Sequence, residues 1–233
     1  MSTDGSVENE LTARGRASRE RLVRAATGLM LEQGVAATSI DDVLSAAGAS
    51  KSQLYHYFDN KRDLVDAVIG YAERAVIDAQ QPHLSALDSW GAIEAWCDHI
   101  VALKQRQGCE LGCPLGTLAS ELVATDDHAR AALDGAFARW EAHLRAGLAA
   151  MLARGELRAD ADVDALATAT MASLQGGLLL AKTSRTTRPL RIALDAAVSY
   201  LRSHARTKQA NPRPPTSKAA RRRGSASADP KRT

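Results

Sequence analysis

The sequence predicts an all-α protein: a small N-terminal three-helix unit containing a helix-turn-helix, followed by a larger helical bundle. Three observations lead there. Apolar residues recur at three- and four-residue spacing nearly throughout the 233 residues, without convincing period-two alternation. Ser and Asn stand repeatedly three residues ahead of Asp or Gln, the spacing of a reciprocal helix cap. Two short helices around a glycine turn precede a set of much longer ones. A hydrophobic content of 45% is ample for a core in a chain of this length.

Taken in order, the first helix spans about Ser18 to Gln33, with Leu22, Ala25, Ala26, Leu29 and Met30 on one side and Gly34 as its stop. The second opens at Ser39, with Asp42 at the reciprocal position, and closes at Gly48. Ser50 caps the third, Gln53 reciprocates, and this helix is expected to end near Phe58. Asn60 and Asp63 open a connecting fourth helix that reaches about Ala79. Beyond Pro82 the helices lengthen. A fifth, Asp88 to Gln105, carries Ile93, Trp96, Cys97, Ile100 and Val101 as a buried stripe. Pro114 suits the first turn of a sixth. The seventh (about 127–154), eighth (about 162–184) and ninth (about 189–204) each bear a continuous apolar stripe. These signals divide the chain into a flexible arm (1–17), a helix-turn-helix domain (18–64), a larger helical domain (65–206), for which the family resemblance given below implies effector binding and dimerisation, and a disordered basic tail (207–233).

The overall charge of +3 is unevenly held. Residues 202–233 contain ten Lys or Arg against one Asp, a net +9, so everything before them carries −6. Net basicity therefore says nothing about the folded part, and any case for nucleic-acid binding rests on local arrangement. The tail reads either as an electrostatic arm for DNA or as a solubilising end. Three cysteines, Cys97, Cys109 and Cys113, point to free thiols in a reducing, cytoplasmic setting. The sequence predicts no membrane span and no leader.

Only nine aromatics occur in the chain, yet Tyr55, Tyr57 and Phe58 crowd the third helix. At about 100° per residue, Leu54, Tyr57 and Phe58 share one face and Ser52, Tyr55 and His56 the other, with Gln53 at the flank. The outer group offers hydrogen-bonding tips beside Lys51, which suits phosphates and base edges. Gln53 is the natural base reader, because an amide can pair with adenine through both its atoms, and Lys51 can reach guanine or phosphate. Thr38 and Ser39 at the second helix and Lys61 at the fourth are expected phosphate anchors, where unpaired N–H groups attract anions. A capped, basic, solvated helix pair is also stable with no ligand, so local pattern alone leaves a purely structural reading open.

The stretch TSIDDVLSAAGASKSQLYHYFDNKRDLVDAVI (38–69) resembles the DNA-binding signature of the TetR family of bacterial transcriptional regulators. The resemblance implies an all-helical, homodimeric regulator. It further implies DNA contacts from Thr38, Ser50, Lys51, Ser52, Gln53, Tyr55, His56, Tyr57 and Lys61. Gln53 stands where that family commonly has Thr or Ala. The phrase CELGCPLGTLASEL (109–122) is similar to a segment of the lincomycin-resistance-repressor-like subgroup, some of whose members respond to lipophilic or aromatic molecules.

In the larger domain, Trp96, Ile100, Phe137, Trp140, Met171 and Gln175 are the candidate effector lining; plain core packing is the competing reading for each. Gly176 and Gly177 mark either a cavity or a close helix approach. The Cys-x-x-x-Cys pair lacks a second pair and predicts no metal, and no cofactor is expected. Expected partners are a palindromic double-stranded operator, a second copy of the chain through about residues 162–204, and a small effector. A repressor released by its effector is the leading function, and an effector-independent DNA-binding regulator or architectural protein is the alternative. No hydrolase, phosphate-loop or dinucleotide motif supports an enzyme.

Overall fold

A computed structural model describes residues 12–206. The basic tail and the first eleven residues of the predicted arm lie outside the described residues. Nine α-helices follow one another among the described residues: α1 (Ala13–Gln33), α2 (Ile40–Ala47), α3 (Lys51–Tyr55), α4 (Lys61–Asp78), α5 (Trp90–Arg106), α6 (Pro114–Leu122), α7 (Asp127–Ala153), α8 (Val163–Ser184) and α9 (Arg188–Ser203). A short 3-10 turn, His83–Ala86, separates α4 from α5. The only β pairing among these residues is one bridge, Leu157 to Ala205.

Helix starts fall where local chemistry places them. Ser39 and Asp42 close a reciprocal cap on α2, and Ser50 and Gln53 do so on α3. The Asn60 side chain accepts from the Asp63 N–H at 3.1 Å to start α4. Two boundaries differ from expectation. Helix α1 begins at Ala13, where Thr12 accepts from the Gly15 N–H, so residues 13–17 of the predicted arm are helical. Helix α3 ends at Tyr55, because the chain turns through His56 and Tyr57 to drive Phe58 into the core.

One connected apolar core runs through the molecule. Helices α1, α2 and α3 enclose Leu22, Ala26, Val43, Leu54 and Phe58; α4 carries Leu64 and Val68 from that group toward α6 and α7. The long helices α7, α8 and α9 pack side by side. A Cβ on Gly177 would lie 3.0 Å from Leu190 and 3.1 Å from Ala193, so this glycine sets the close α8–α9 approach. Gly176 faces open space. Helix α8 is, by length and composition, apolar enough to cross a membrane, with a mean hydropathy of 1.2. Here it is a bundle helix with Leu166, Met171, Leu174 and Leu178 buried.

Candidate nucleic-acid interface and effector cleft

The turn between α2 and α3 begins at Gly48, whose φ of 58° is the left-handed region. Its N–H bonds the carbonyls ending α2, and Ser50 then opens α3. Leu54 (0% exposed) and Phe58 (3%) anchor α3 from beneath. Arg19 of α1 places its guanidinium 5.0 Å from the centroid of the Phe58 ring, a cation–π contact that the sequence reading missed.

On the opposite face Lys51, Ser52, Gln53, Tyr55 and His56 are exposed, with Tyr55 at 51%. Lys51 lies 3.2 Å from Asp41, a solvated pair that a phosphate can displace. Tyr57 is half-buried, edge-on to both His56 and Phe58. The predicted contact residues thus divide into two groups. Lys51, Ser52, Gln53, Tyr55 and His56 form one presented surface, whereas Thr38, Ser39, Ser50 and Lys61 are engaged in hydrogen bonds within the protein.

Thr38 is 1% exposed, and its hydroxyl donates to the Gly34 carbonyl at 2.7 Å. Ser39 donates its hydroxyl (2.6 Å) and its N–H (2.9 Å) to Asp42, and these bonds hold the Asp42 carboxyl below the usual carboxylate range. The Ser50 hydroxyl accepts from the Gln53 N–H, while Gln53 Oε1 accepts the Ser50 N–H at 2.9 Å. One lone pair of Gln53 Oε1 is thus committed to the cap, while Nε2 makes no hydrogen bond within the described residues. Lys61 donates its Nζ to the Val35 carbonyl at 2.7 Å.

A cleft of ≈ 190 Å³ opens between α4, α5, α7 and α8, with the start of α6 at its edge. Ile100 and Trp140, two of the six predicted lining residues, form part of its wall. Trp96, Phe137, Met171 and Gln175 do not. Trp96 is fully buried and donates Nε1–H to Gln80 at 2.9 Å. Phe137 stacks on Trp140 with centroids 6.5 Å apart, and Gln175 donates weakly to the Met171 sulfur. The wall also holds Gln80, Lys104 and Cys113. Lys104 was legible: it continues the stripe of Cys97, Ile100 and Val101 at helical spacing, a charge at an apolar position. Gln80 carried no such signal.

Helix α6 connects the two regions. Its N-terminal Cys113 and Pro114 line the cleft, and Glu121 sits in its last turn. The Glu121 carboxylate accepts the N–H groups of Val35 (2.9 Å) and Ala36 (2.8 Å), in the turn leading to α2. Gly34 is required there: its φ is 93°, and a Cβ would stand 3.3 Å from both Glu121 oxygens. Farther along, α4 is tied to α7 by Asp66 with His128 (2.8 Å) and Glu73 with Arg139 (2.6 Å).

Two family models match this chain: bacterial regulatory proteins of the tetR family over residues 22–68, and the C-terminal domain of LmrA/YxaF-like transcriptional regulators over residues 90–196. The transcriptional regulator AcuR of Cereibacter sphaeroides is 33% identical over 178 residues, covering 74% of this chain and 80% of AcuR. The transcriptional repressor DhaR of a Mycobacterium species is 26% identical, covering 74% and 86%. The crystal structure of a TetR regulatory protein from Rhodobacter sphaeroides superposes with a TM-score of 0.67 at 28% identity, covering 81% of this chain and 99% of that one. These families and relatives are transcriptional regulators, not enzymes. The chain, with its exposed α3 and its LmrA/YxaF-like bundle, belongs to the TetR family of DNA-binding transcriptional regulators.

Proposed function

We propose that this regulator is a homodimeric repressor that leaves a palindromic operator when a small effector enters the cleft. The observation that carries the reading is α6, one rigid helix with its first turn in the cleft wall and its last turn hydrogen-bonded to the segment that positions α2 and α3. An occupant that displaces Pro114 moves Glu121, and with it the Val35–Ala36 turn. A hundredfold loss of operator affinity requires the effector to favour the released state by about 2.7 kcal/mol.

Dimerisation is supported by α8 and α9. Leu179 (63% exposed), Leu180 (56%), Ile192 (56%) and Tyr200 (46%) stand outward on these two helices. A helix that is apolar on both faces needs covering on both, and a second copy related by a two-fold axis does this. The two α3 helices then enter successive major grooves about 34 to 36 Å apart. Lys51, Ser52, Tyr55 and His56 make the contacts, with Gln53 reading one base through Nε2. The unpaired N–H groups at the start of α2 receive a phosphate. The helix-turn-helix unit (18–64) and the regulatory unit (65–206) meet within α4, and the protein acts in the cytoplasm. DhaR's being a repressor supports the sign of regulation.

The test is selection of bound genomic fragments by the purified chain, followed by footprinting and a measurement of mass in solution. A symmetric site protected by a dimer is expected; an asymmetric site or a monomer refutes the reading.

A further inference from the structure

Lys104 is out of place on α5. The buried stripe of Ile93, Trp96, Cys97, Ile100 and Val101 continues onto it, so a cation occupies a position built for an apolar group. It lines the cleft, and its Nζ donates to Gln107 Oε1 (3.1 Å) and to the carbonyls of Leu111 (3.3 Å) and Gly112 (3.0 Å). These partners are neutral. Among the described residues Lys104 enters no ion pair, and the other titratable groups acting on it are the buried thiols of Cys113 and Cys109. Burial, the larger effect, lowers its pKa. A half-buried cation without a counterion is an unmet electrostatic demand.

The remaining polar groups of the wall point the same way. Gln80 Oε1 already accepts from Trp96, and Gln107 Oε1 from Lys104. Trp140 is 2% exposed, and its Nε1–H has no acceptor. The wall thus carries one cation held only by neutral acceptors, one indole N–H without a partner among the described residues, and no carboxylate. Around them stand Val76, Ile100, Leu103, Leu174 and Leu178. Size narrows the class: a dry 150 Å³ cavity holds benzene, so ≈ 190 Å³ admits about one ring with one small substituent.

We propose that the cleft binds a small apolar monoanion, a carboxylate on a single ring or short hydrocarbon chain, with Lys104 as its counterion. The hydrocarbon body packs on Ile100, Leu103, Leu174 and Leu178. The carboxylate competes with Gln107 and the loop carbonyls for Nζ. Because Leu111 and Gly112 lead directly into Cys113 and Pro114, drawing Lys104 off that loop loosens the anchor of α6. That consequence rests on the cleft being the effector site; the ligand class does not.

The experiment titrates the full chain with benzoate and phenylacetate, and with benzamide and phenylacetamide as neutral counterparts of similar shape. Binding is followed by calorimetry, and operator release by fluorescence anisotropy in parallel. At least one carboxylate is expected to bind about tenfold or more tighter than its amide, a preference weakened by added salt. Lys104→Gln should erase the preference. Lys104→Arg, which keeps the charge, should retain most of it, and melting curves identify any variant that fails to fold. Equal affinity of acid and amide, a preference that survives in Lys104→Gln, or no binding by any of the four overturns the proposal. Carboxylate binding that leaves the operator bound upholds the ligand class and removes the effector role. Release by the neutral amides alone does the reverse.

Discussion

Replacing Glu121 with Ala removes both oxygens that hold the turn before α2. Hydrogen bonds to a charged group contribute about 1.5 to 3 kcal/mol each in favourable settings. The Ala36 N–H lies at the surface, where water replaces the lost oxygen, so its bond counts for little. The Val35 N–H is partly buried and the larger loss. A net cost of about 2 to 3 kcal/mol follows, which lowers the melting temperature by about 4 to 12 °C in a protein of this size. Glu121→Gln keeps one neutral acceptor and should lose about half as much. The damage is local in origin. Val35 is held on both sides, its N–H by Glu121 and its carbonyl by Lys61 at 2.7 Å, so freeing one side loosens the Thr38–Ser39 entry to α2. Calorimetric melting and amide hydrogen exchange read the two consequences separately. The reasoning is refuted if both variants melt within about 1 °C of the parent, or if the Val35 amide already exchanges freely in the parent chain.

Gln53→Glu should keep the α3 cap, because a carboxylate accepts the Ser50 N–H as the amide does, yet repel the DNA backbone; unchanged melting with operator affinity reduced tenfold or more is expected in an anisotropy titration. Leu180→Glu combined with Ile192→Glu should place like charges on the outward α8–α9 face and yield monomers by sedimentation, while helical content is retained. A Cβ at Gly147 would stand 2.1 Å from the Leu87 carbonyl oxygen, so Gly147→Ala should cost about 3 kcal/mol or more in chemical denaturation. Gly28→Ala, on an open helix face, should stabilise by about 0.5 to 1 kcal/mol. Burial pushes the Cys97 thiol up to about 12, so at pH 8 the thiolate is scarce and iodoacetamide should leave Cys97 unlabelled until the protein is denatured; rapid labelling of the native chain counts against that burial.

Much of the candidate interface was legible because its signals are short. The reciprocal caps of Ser39 with Asp42 and Ser50 with Gln53 act across three residues, and Pro114 acts on its own turn. Leu54 and Phe58 as anchors, and Ser52, Tyr55 and His56 as the presented face, follow from helical phase. Phase could not show that α3 stops at Tyr55, since the turn there is imposed by the pocket that receives Phe58. Nor could it show that Thr38 is consumed by the Gly34 carbonyl. Periodicity marked Trp96, Phe137 and Met171 as inward-facing without distinguishing a packed core from a cleft wall. That distinction depends on how far apart neighbouring helices stand.

The sequence by itself determined helix identity, helix starts and the polarity of each helix face, because these are set by interactions within about one turn of the chain. Tertiary packing alone decided that Glu121 grips a turn some 85 residues away, that Lys104 stands beside an apolar cleft without a counterion among the described residues, and that one short helix joins the two. Each depends on the distance between segments remote in the chain, which no local pattern encodes.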